Sequence, residues 1–287
     1  MKIQENISLK KLTTFKIGGK ARYFVAAKTK QDIVEAINFA RENKLRFFIL
    51  GKGANVLAQD QGFNGLIIKI QNSKFKIQNS RITAGAGTPL KNLVEASAEN
   101  SLLGLEWAAG VPGTIGGAVY GNAQAFDKKI EHNIEEVEVF DVETGKVKRI
   151  TKQECQFSEK NSIFKMNKNL IILSVVLKLK KGNKQDIKKT IKENLDLRKQ
   201  KHPLNLASAG SVFVNQSGQK PSSYLIEKAG LKGKRVGSAE VSKKHAGFIV
   251  NLGGAKSKDV LDLIKIVKKQ VKDKFKVSLK EEIQIIK

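Results

Sequence analysis

The stretch Gly110-Val-Pro-Gly-Thr-Ile-Gly-Gly-Ala118, ending four residues before Asn122, decides how this chain reads. Glycine at that density exposes main-chain N–H groups and removes the Cβ atoms that would hold a ligand at a distance. Pro112 fixes one φ angle, so the loop has a set shape. Successive N–H groups in such a loop can form a nest around an extended anion without a counter-cation. A structural turn needs only one or two glycines. The density therefore points to phosphate-type binding, with Gly110, Val111, Pro112, Gly113, Thr114, Gly116, Gly117, Ala118 and Asn122 as candidate contacts.

Two further glycine clusters extend this reading. The apolar run Phe47-Phe-Ile-Leu50 predicts a buried strand that delivers the chain into Gly51, Gly53, Ala54, Asn55 and Val56. A second strand-like entry at Ile82 leads into Gly85, Ala86 and Gly87. Thr88-Pro89 then opens a helical spacing through Leu90, Leu93, Val94 and Ala98. Neither cluster is a dinucleotide fingerprint: the third glycine is missing, and no acidic residue follows at the required distance. No G-x-x-x-x-G-K-[ST] loop is present either. Three such clusters within the first 122 residues imply one large, phosphate-bearing ligand.

At 287 residues the chain can bury a sizeable core in two or three subdomains. No apolar run approaches bilayer-spanning length, and the first residues lack the apolar region of a secretory signal, so membrane insertion is not expected. A single cysteine, Cys155, rules out an internal disulfide and fits a reducing, cytoplasmic setting. With that cysteine and three scattered histidines (His132, His202, His245), a zinc site lacks ligands, and no metal is expected. The formal net charge is +26, but the lysines are spread along the whole length and aromatics are only 6%. That distribution argues for solvated lysine-rich faces rather than specific nucleic-acid binding. A positive field would still attract anionic cofactors and a nucleotide-linked substrate.

Periodicity predicts strands at Ala21–Ala26, Phe47–Leu50, Gly65–Ile70, Val137–Asp141 and Leu170–Leu177, and a helix over Gln31–Glu42. A lysine-rich helix from Lys184 to Lys201 stops at His202-Pro203, the clearest boundary in the chain. Beyond it come a helix over Ser222–Lys228, a strand at Phe248–Asn251, an amphipathic helix over Ser257–Phe275 and a closing strand at Glu282–Ile286. The expected division is 1–72, 73–200 and 201–287.

Across nearly its full length the chain resembles the UDP-N-acetylenolpyruvoylglucosamine reductase family of bacterial peptidoglycan synthesis. The resemblance begins at Thr13-Thr-Phe-Lys-Ile-Gly-Gly19 and runs through Leu50-Gly-Lys-Gly-Ala-Asn55 and Gly85-Ala-Gly87. Gly104-Leu-Glu-Trp-Ala-Ala-Gly-Val-Pro-Gly-Thr-Ile-Gly-Gly-Ala118 is its most specific stretch. In the last third, Ala209-Gly-Ser-Val-Phe213, Ala229-Gly-Leu-Lys-Gly233 and Val241-Ser-Lys-Lys-His-Ala-Gly-Phe-Ile-Val-Asn251 follow in the family's order. The length, without an obvious insertion in that third, looks like the family's shorter subgroup.

The resemblance implies an α+β chain: a two-subdomain FAD-binding fold of the p-cresol methylhydroxylase type, followed by a C-terminal α/β domain for a UDP-sugar. It implies FAD and NADPH as cofactors and reduction of an enolpyruvyl ether to a lactyl ether. By the same resemblance, Ser211 matches the family's proton donor, Glu282 its C-terminal glutamate and Lys160 its arginine, while Asn215 and His245 fall on the substrate side.

Several positions depart from the family. Cys155-Gln-Phe-Ser-Glu-Lys-Asn-Ser-Ile-Phe164 stands where C-x-F-x-Y-R-x-S-x-F is usual, which puts Glu159 at the tyrosine and Lys160 at the arginine. Lysine keeps the charge but loses the planar fork that grips a carboxylate through two bonds. Gln124 replaces the glycine of N-A-G-A-[YF], Ala54 the serine of G-x-G-S-N, and Val214 and Gln216 the lysine and proline after G-S-x-F. At the C-terminal motif a one-residue slip would hand the role of Glu282 to Glu281. Two other readings stay open from sequence: a flavin oxidoreductase of the same fold with another substrate, and a weakened paralogue that binds nucleotide or nucleic acid.

Overall fold

The computed structural model describes residues 1–216 and 218–287. The chain forms two compact units that interleave in sequence. The first comprises Met1–Ile3, Val25–Lys52 and Ile67–Leu197; the second comprises Gln4–Phe24, Gly53–Leu66 and Arg198–Lys287.

The first unit is organised by the run Leu170-Ile-Ile-Leu-Ser-Val-Val-Leu-Lys178, apolar enough to be covered on both faces. It forms the centre of a five-stranded antiparallel sheet. The order is Lys146–Thr151, Ile134–Asp141, Leu170–Lys178, Arg81–Gly85, Phe75–Gln78. Ser174, the polar side chain in the middle of that run, donates to Glu138 on the neighbouring strand (2.8 Å), and Glu138 also pairs with Lys30. Helix Leu90–Glu99 buries Leu90, Leu93, Val94 and Ala98, the spacing of one helical face. Helix Lys30–Glu42 begins with a capping box in which Thr29 and Asp32 satisfy each other's main-chain N–H groups.

In the second unit, strands Ala207–Ser211, Phe248–Asn251, Ala239–Val241 and Arg235–Val236 form a four-stranded sheet in that order. Helix Ser257–Phe275 buries Val260, Leu263, Ile264, Val267 and Val271 in a core with Phe15, Leu57, Val212 and Ile226. Its first turn is fixed from sequence far upstream. Asp60 accepts from both the main-chain N–H and the hydroxyl of Ser257, each at 2.8 Å. A separate parallel pair joins Val56–Ala58 to Gln284–Ile286. No helix among the described residues is long and apolar enough to cross a membrane.

Candidate active site

In the first unit the glycine-rich loop is laced to the 85–90 turn. The Leu90 amide donates to Gly113 O (3.1 Å), the Ile115 amide to Thr88 O (2.9 Å) and the Gly116 amide to Ala86 O (2.9 Å). Thr114 then caps helix Ile115–Tyr120, its hydroxyl accepting from the Gly117 amide. The 85–87 turn is held in its own right by Asn72, whose side-chain oxygen accepts from the Gly87 amide (2.9 Å). The Asn72 amide group donates to Leu173 O on the central strand (2.8 Å).

The glycines sort into two classes by what a Cβ would meet. At Gly85 it would sit 2.2 Å from Asn72 O, at Gly51 2.7 Å from Thr114 Oγ1, and at Gly116 2.8 Å from the Ala86 Cβ. These glycines are demanded by the protein's own packing. At Gly113 and Gly117 the nearest atoms would be 3.7 and 3.6 Å away, and neither has a left-handed φ. An alanine fits the protein at both, so packing does not explain the glycine there. Thr88 Oγ1, Trp107 Nε1 and Asn122 Oδ1, all in this part of the chain, are buried without a hydrogen-bond partner, a deficit that a bound polar molecule can make good. Asn122 otherwise serves the fold: its amide group donates to Glu131 and to Ser158 O.

The second unit brings together residues that are far apart in sequence. Ser211 ends strand Ala207–Ser211, opposite Phe248, after a bulge in which Gly210 has φ +74°. The next residues pair with the C-terminal segment: the Glu282 amide donates to Val212 O (2.8 Å), Phe213 opposes Glu281, and the Val214 amide donates to Lys280 O. Ser211 and Glu282 thus lie on neighbouring extended segments. The loop at 53–56 joins them. Asn55 donates from its side chain to Glu282 O (3.3 Å) and accepts the Gln284 amide on its carbonyl (3.0 Å). The carbonyl oxygen of Ala54 lies 4.0 Å from where a Cβ on Gly210 would stand. Gly53 is packed so closely on Leu12 O (2.4 Å from a built Cβ) that no side chain fits. Thr14 donates to Gly53 O and to Ser208 O, tying the loop to the strand of Ser211.

Neighbouring Glu281 and Glu282 differ in what they do. Glu281 forms an ion pair with Lys268 on helix Ser257–Phe275 (2.8 Å), whereas Glu282 is half-buried beside Asn55. Lys160 belongs to the first unit. It occupies the tight turn Ser158–Asn161 with φ +54°, and its carbonyl accepts from Lys165 Nζ. That turn sits between buried anchors, Cys155 and Ser162, the latter donating to Tyr120 O (2.8 Å). Burial pushes the Cys155 thiol up to about 12, which makes it a packing residue and not a nucleophile.

On the expected substrate side, Asn215 Oδ1 accepts from the amide and hydroxyl of Ser222 at the start of helix Ser222–Lys228. What it can offer a ligand is its Nδ2. His245 packs in an aromatic cluster with His202 and Phe248, ring centres 5.1–5.2 Å apart. Burial, aided by the nearby Arg198, lowers the His202 imidazole to about 4, and burial lowers His245 too. Sequence reasoning passed over Asn72, which organises the 85–87 turn, and Thr88; an asparagine after a strand carries no distinctive signal. Among the described residues no three His, Cys, Asp or Glu side chains are grouped to hold a metal.

The C-terminal-domain model of UDP-N-acetylenolpyruvoylglucosamine reductase matches residues 202–286, and an FAD-binding-domain model matches 21–151. The reductase of Clostridium novyi is 40% identical over 99% of this chain and 92% of its own length. That of Caldicellulosiruptor bescii is 42% identical over 97% and 88%. The chain belongs to the UDP-N-acetylenolpyruvoylglucosamine reductase family. The crystal structure of the reductase from Thermus caldophilus superposes on it with a TM-score of 0.84 at 32% identity, covering 100% of this chain and 98% of that one. Its α+β architecture is the reductase family's, with the FAD-binding domain in the N-terminal half.

Proposed function

We propose that this chain is the FAD-containing, NADPH-dependent reductase that converts UDP-N-acetylglucosamine enolpyruvate to UDP-N-acetylmuramate. The observation that carries this reading is the register of the C-terminal segment on the Ser211 strand, with Asn55 of a glycine loop bonded to the same segment. That arrangement supports a proton donor, a carboxylate and a cofactor loop working together.

The residues fit a flavin nucleotide. Gly113 and Gly117 leave space against the loop, and the orphaned Thr88 Oγ1, Trp107 Nε1 and Asn122 Oδ1 supply polar groups for a bound nucleotide. A bound FAD would supply the hydride chemistry between NADPH and the vinyl carbon remote from the ether oxygen. Negative charge then builds on the adjacent carbon and its carboxylate. Ser211 delivers a proton to that carbon; a hydroxyl suffices because an enolate is strongly basic. Lys160 stabilises the charge as it develops, where a preorganised group lowers the barrier most, and Glu282 helps polarise the intermediate. The Glu281–Lys268 ion pair supports Glu282 rather than Glu281 in this role. Asn215 Nδ2 and His245 contribute to holding the sugar nucleotide. The single cysteine, Cys155, supports a cytoplasmic setting for the reaction.

The purified protein is expected to be yellow and to oxidise NADPH when the enolpyruvyl sugar is added. A colourless protein that stays so in excess FAD defeats the proposal. A yellow protein indifferent to the sugar points to a flavin oxidoreductase with another substrate.

A further inference from the structure

Two of the positions at which this chain departs from its family touch each other. Gln124, in place of a glycine, donates from its side-chain amide to Glu159, which stands in place of a tyrosine. The contact follows from local geometry. Phe126 and Asp127 both have left-handed φ (+49° and +57°), as the central residues of a tight two-residue hairpin loop require. The hairpin pairs Gln124–Ala125 with Lys128–Lys129 and places Gln124 directly opposite Lys129. Directly opposed residues on antiparallel strands present their side chains on one face. Both reach Glu159, Gln124 at Oε1 and Lys129 Nζ at Oε2 (3.3 Å).

Glu159 and Lys160 are the central residues of the Ser158–Asn161 turn. The turn is strapped on several sides. Buried Asn122 donates to Ser158 O (2.8 Å), Ser162 donates to Tyr120 O (2.8 Å), and Lys165 Nζ reaches Lys160 O (2.9 Å). The Gln124–Glu159–Lys129 clamp is a further strap, made wholly from side chains at the turn's tip. The clamp engages both oxygens of the Glu159 carboxylate.

We infer that Gln124 and Glu159 act as a coupled positioning pair that sets the Lys160 turn for reduction of the enolpyruvyl group. The inference rests on the role proposed above for Lys160. In this role the pair acts through the main chain of Lys160, the other central residue of the turn. A partly exposed pair is worth little to overall stability, but small displacements of a catalytic group cost rate steeply.

The test is a four-protein cycle on the holoenzyme: wild type, Gln124→Gly, Glu159→Tyr, and both together, which restores the family's residues at the two sites. Each single change is expected to lower kcat with the enolpyruvyl sugar about fivefold. KM for the sugar should move less than about twofold, and the rate of flavin reduction by NADPH alone should not move. The double variant should fall no further than either single, whereas independent effects would multiply to about twenty-five-fold. Multiplication, single changes within twofold of wild type, or an equal loss in flavin reduction each overturns the positioning role. A wild-type enzyme that is reduced by NADPH but ignores the sugar overturns the proposed function instead, and this inference with it.

Discussion

Gly117→Ala is expected to move apoprotein stability and cofactor affinity in opposite directions. A methyl built there lies 3.6 Å from Thr114 Oγ1, an ordinary contact, and the backbone is in no left-handed region. Gly117 sits inside helix Ile115–Tyr120, where alanine in place of glycine gains about 0.5–1 kcal/mol of backbone entropy. The apoprotein should therefore melt about 1–3 °C higher than wild type. With FAD bound, the methyl enters space that the protein leaves open. Crowding of that kind costs about 1–3 kcal/mol, so affinity should fall roughly five- to 150-fold. Gly116→Ala is the control of opposite character. Its methyl would lie 2.8 Å from the Ala86 Cβ and 2.9 Å from Ala86 O, so the apoprotein itself should lose about 1–3 kcal/mol. The assay is thermal unfolding of flavin-stripped protein beside titration with FAD, followed by quenching of flavin fluorescence. Wild-type FAD affinity in Gly117→Ala would refute the reasoning, because the open glycines would then have no ligand to accommodate.

Ser211→Ala should keep its flavin and its reduction by NADPH while sugar-dependent turnover falls about 100-fold or more; stopped-flow measurement of the two half-reactions separates these, and undiminished turnover removes Ser211 from the mechanism. Glu281→Gln loses only the Lys268 ion pair, worth about 0–1 kcal/mol, and should keep near-normal kcat, whereas Glu282→Gln should lower kcat tenfold or more. The reverse result in steady-state kinetics would move the role one residue back. The His202 imidazole has an ordinary value of 6.5 and is held at about 4 in the fold, so the unfolded chain binds the proton more readily between those values. Its contribution is therefore fully present above about pH 6.5 and is lost as pH falls toward 4. Between pH 7 and pH 5 that amounts to roughly 2 kcal/mol, readable in urea melts. His202→Phe should flatten this dependence, and an unchanged slope would mean that another group carries it.

Much of the secondary structure was legible because it depends on local pattern. The strand Phe47–Leu50 and the helices Lys184–Lys201, Ser222–Lys228 and Ser257–Phe275 lie where apolar spacing and the His202-Pro203 stop put them. Helix Lys30–Glu42 starts one residue before the predicted Gln31, because the Thr29 cap admits Lys30. Ser211 is different. From sequence alone it is a turn or cap serine as readily as a catalytic one, and only the family resemblance selected it. The structure adds the strand it ends and the partner segment it meets.

The amino-acid order by itself determined the glycine loops, the helical faces and the family, since these rest on backbone freedom, apolar period and ordered motifs within short windows. Tertiary structure alone decided that residues 4–24 and 53–66 fold with the C-terminal segment, that Glu281 pairs with Lys268 while Glu282 meets Asn55, and that Gln124 reaches Glu159. It also divided the glycines into those the protein's own packing requires and those it does not. The physical reason is common to all of them. Each depends on which side chains and main-chain groups approach within a few ångströms after burial brings distant segments together, and no local pattern encodes that proximity.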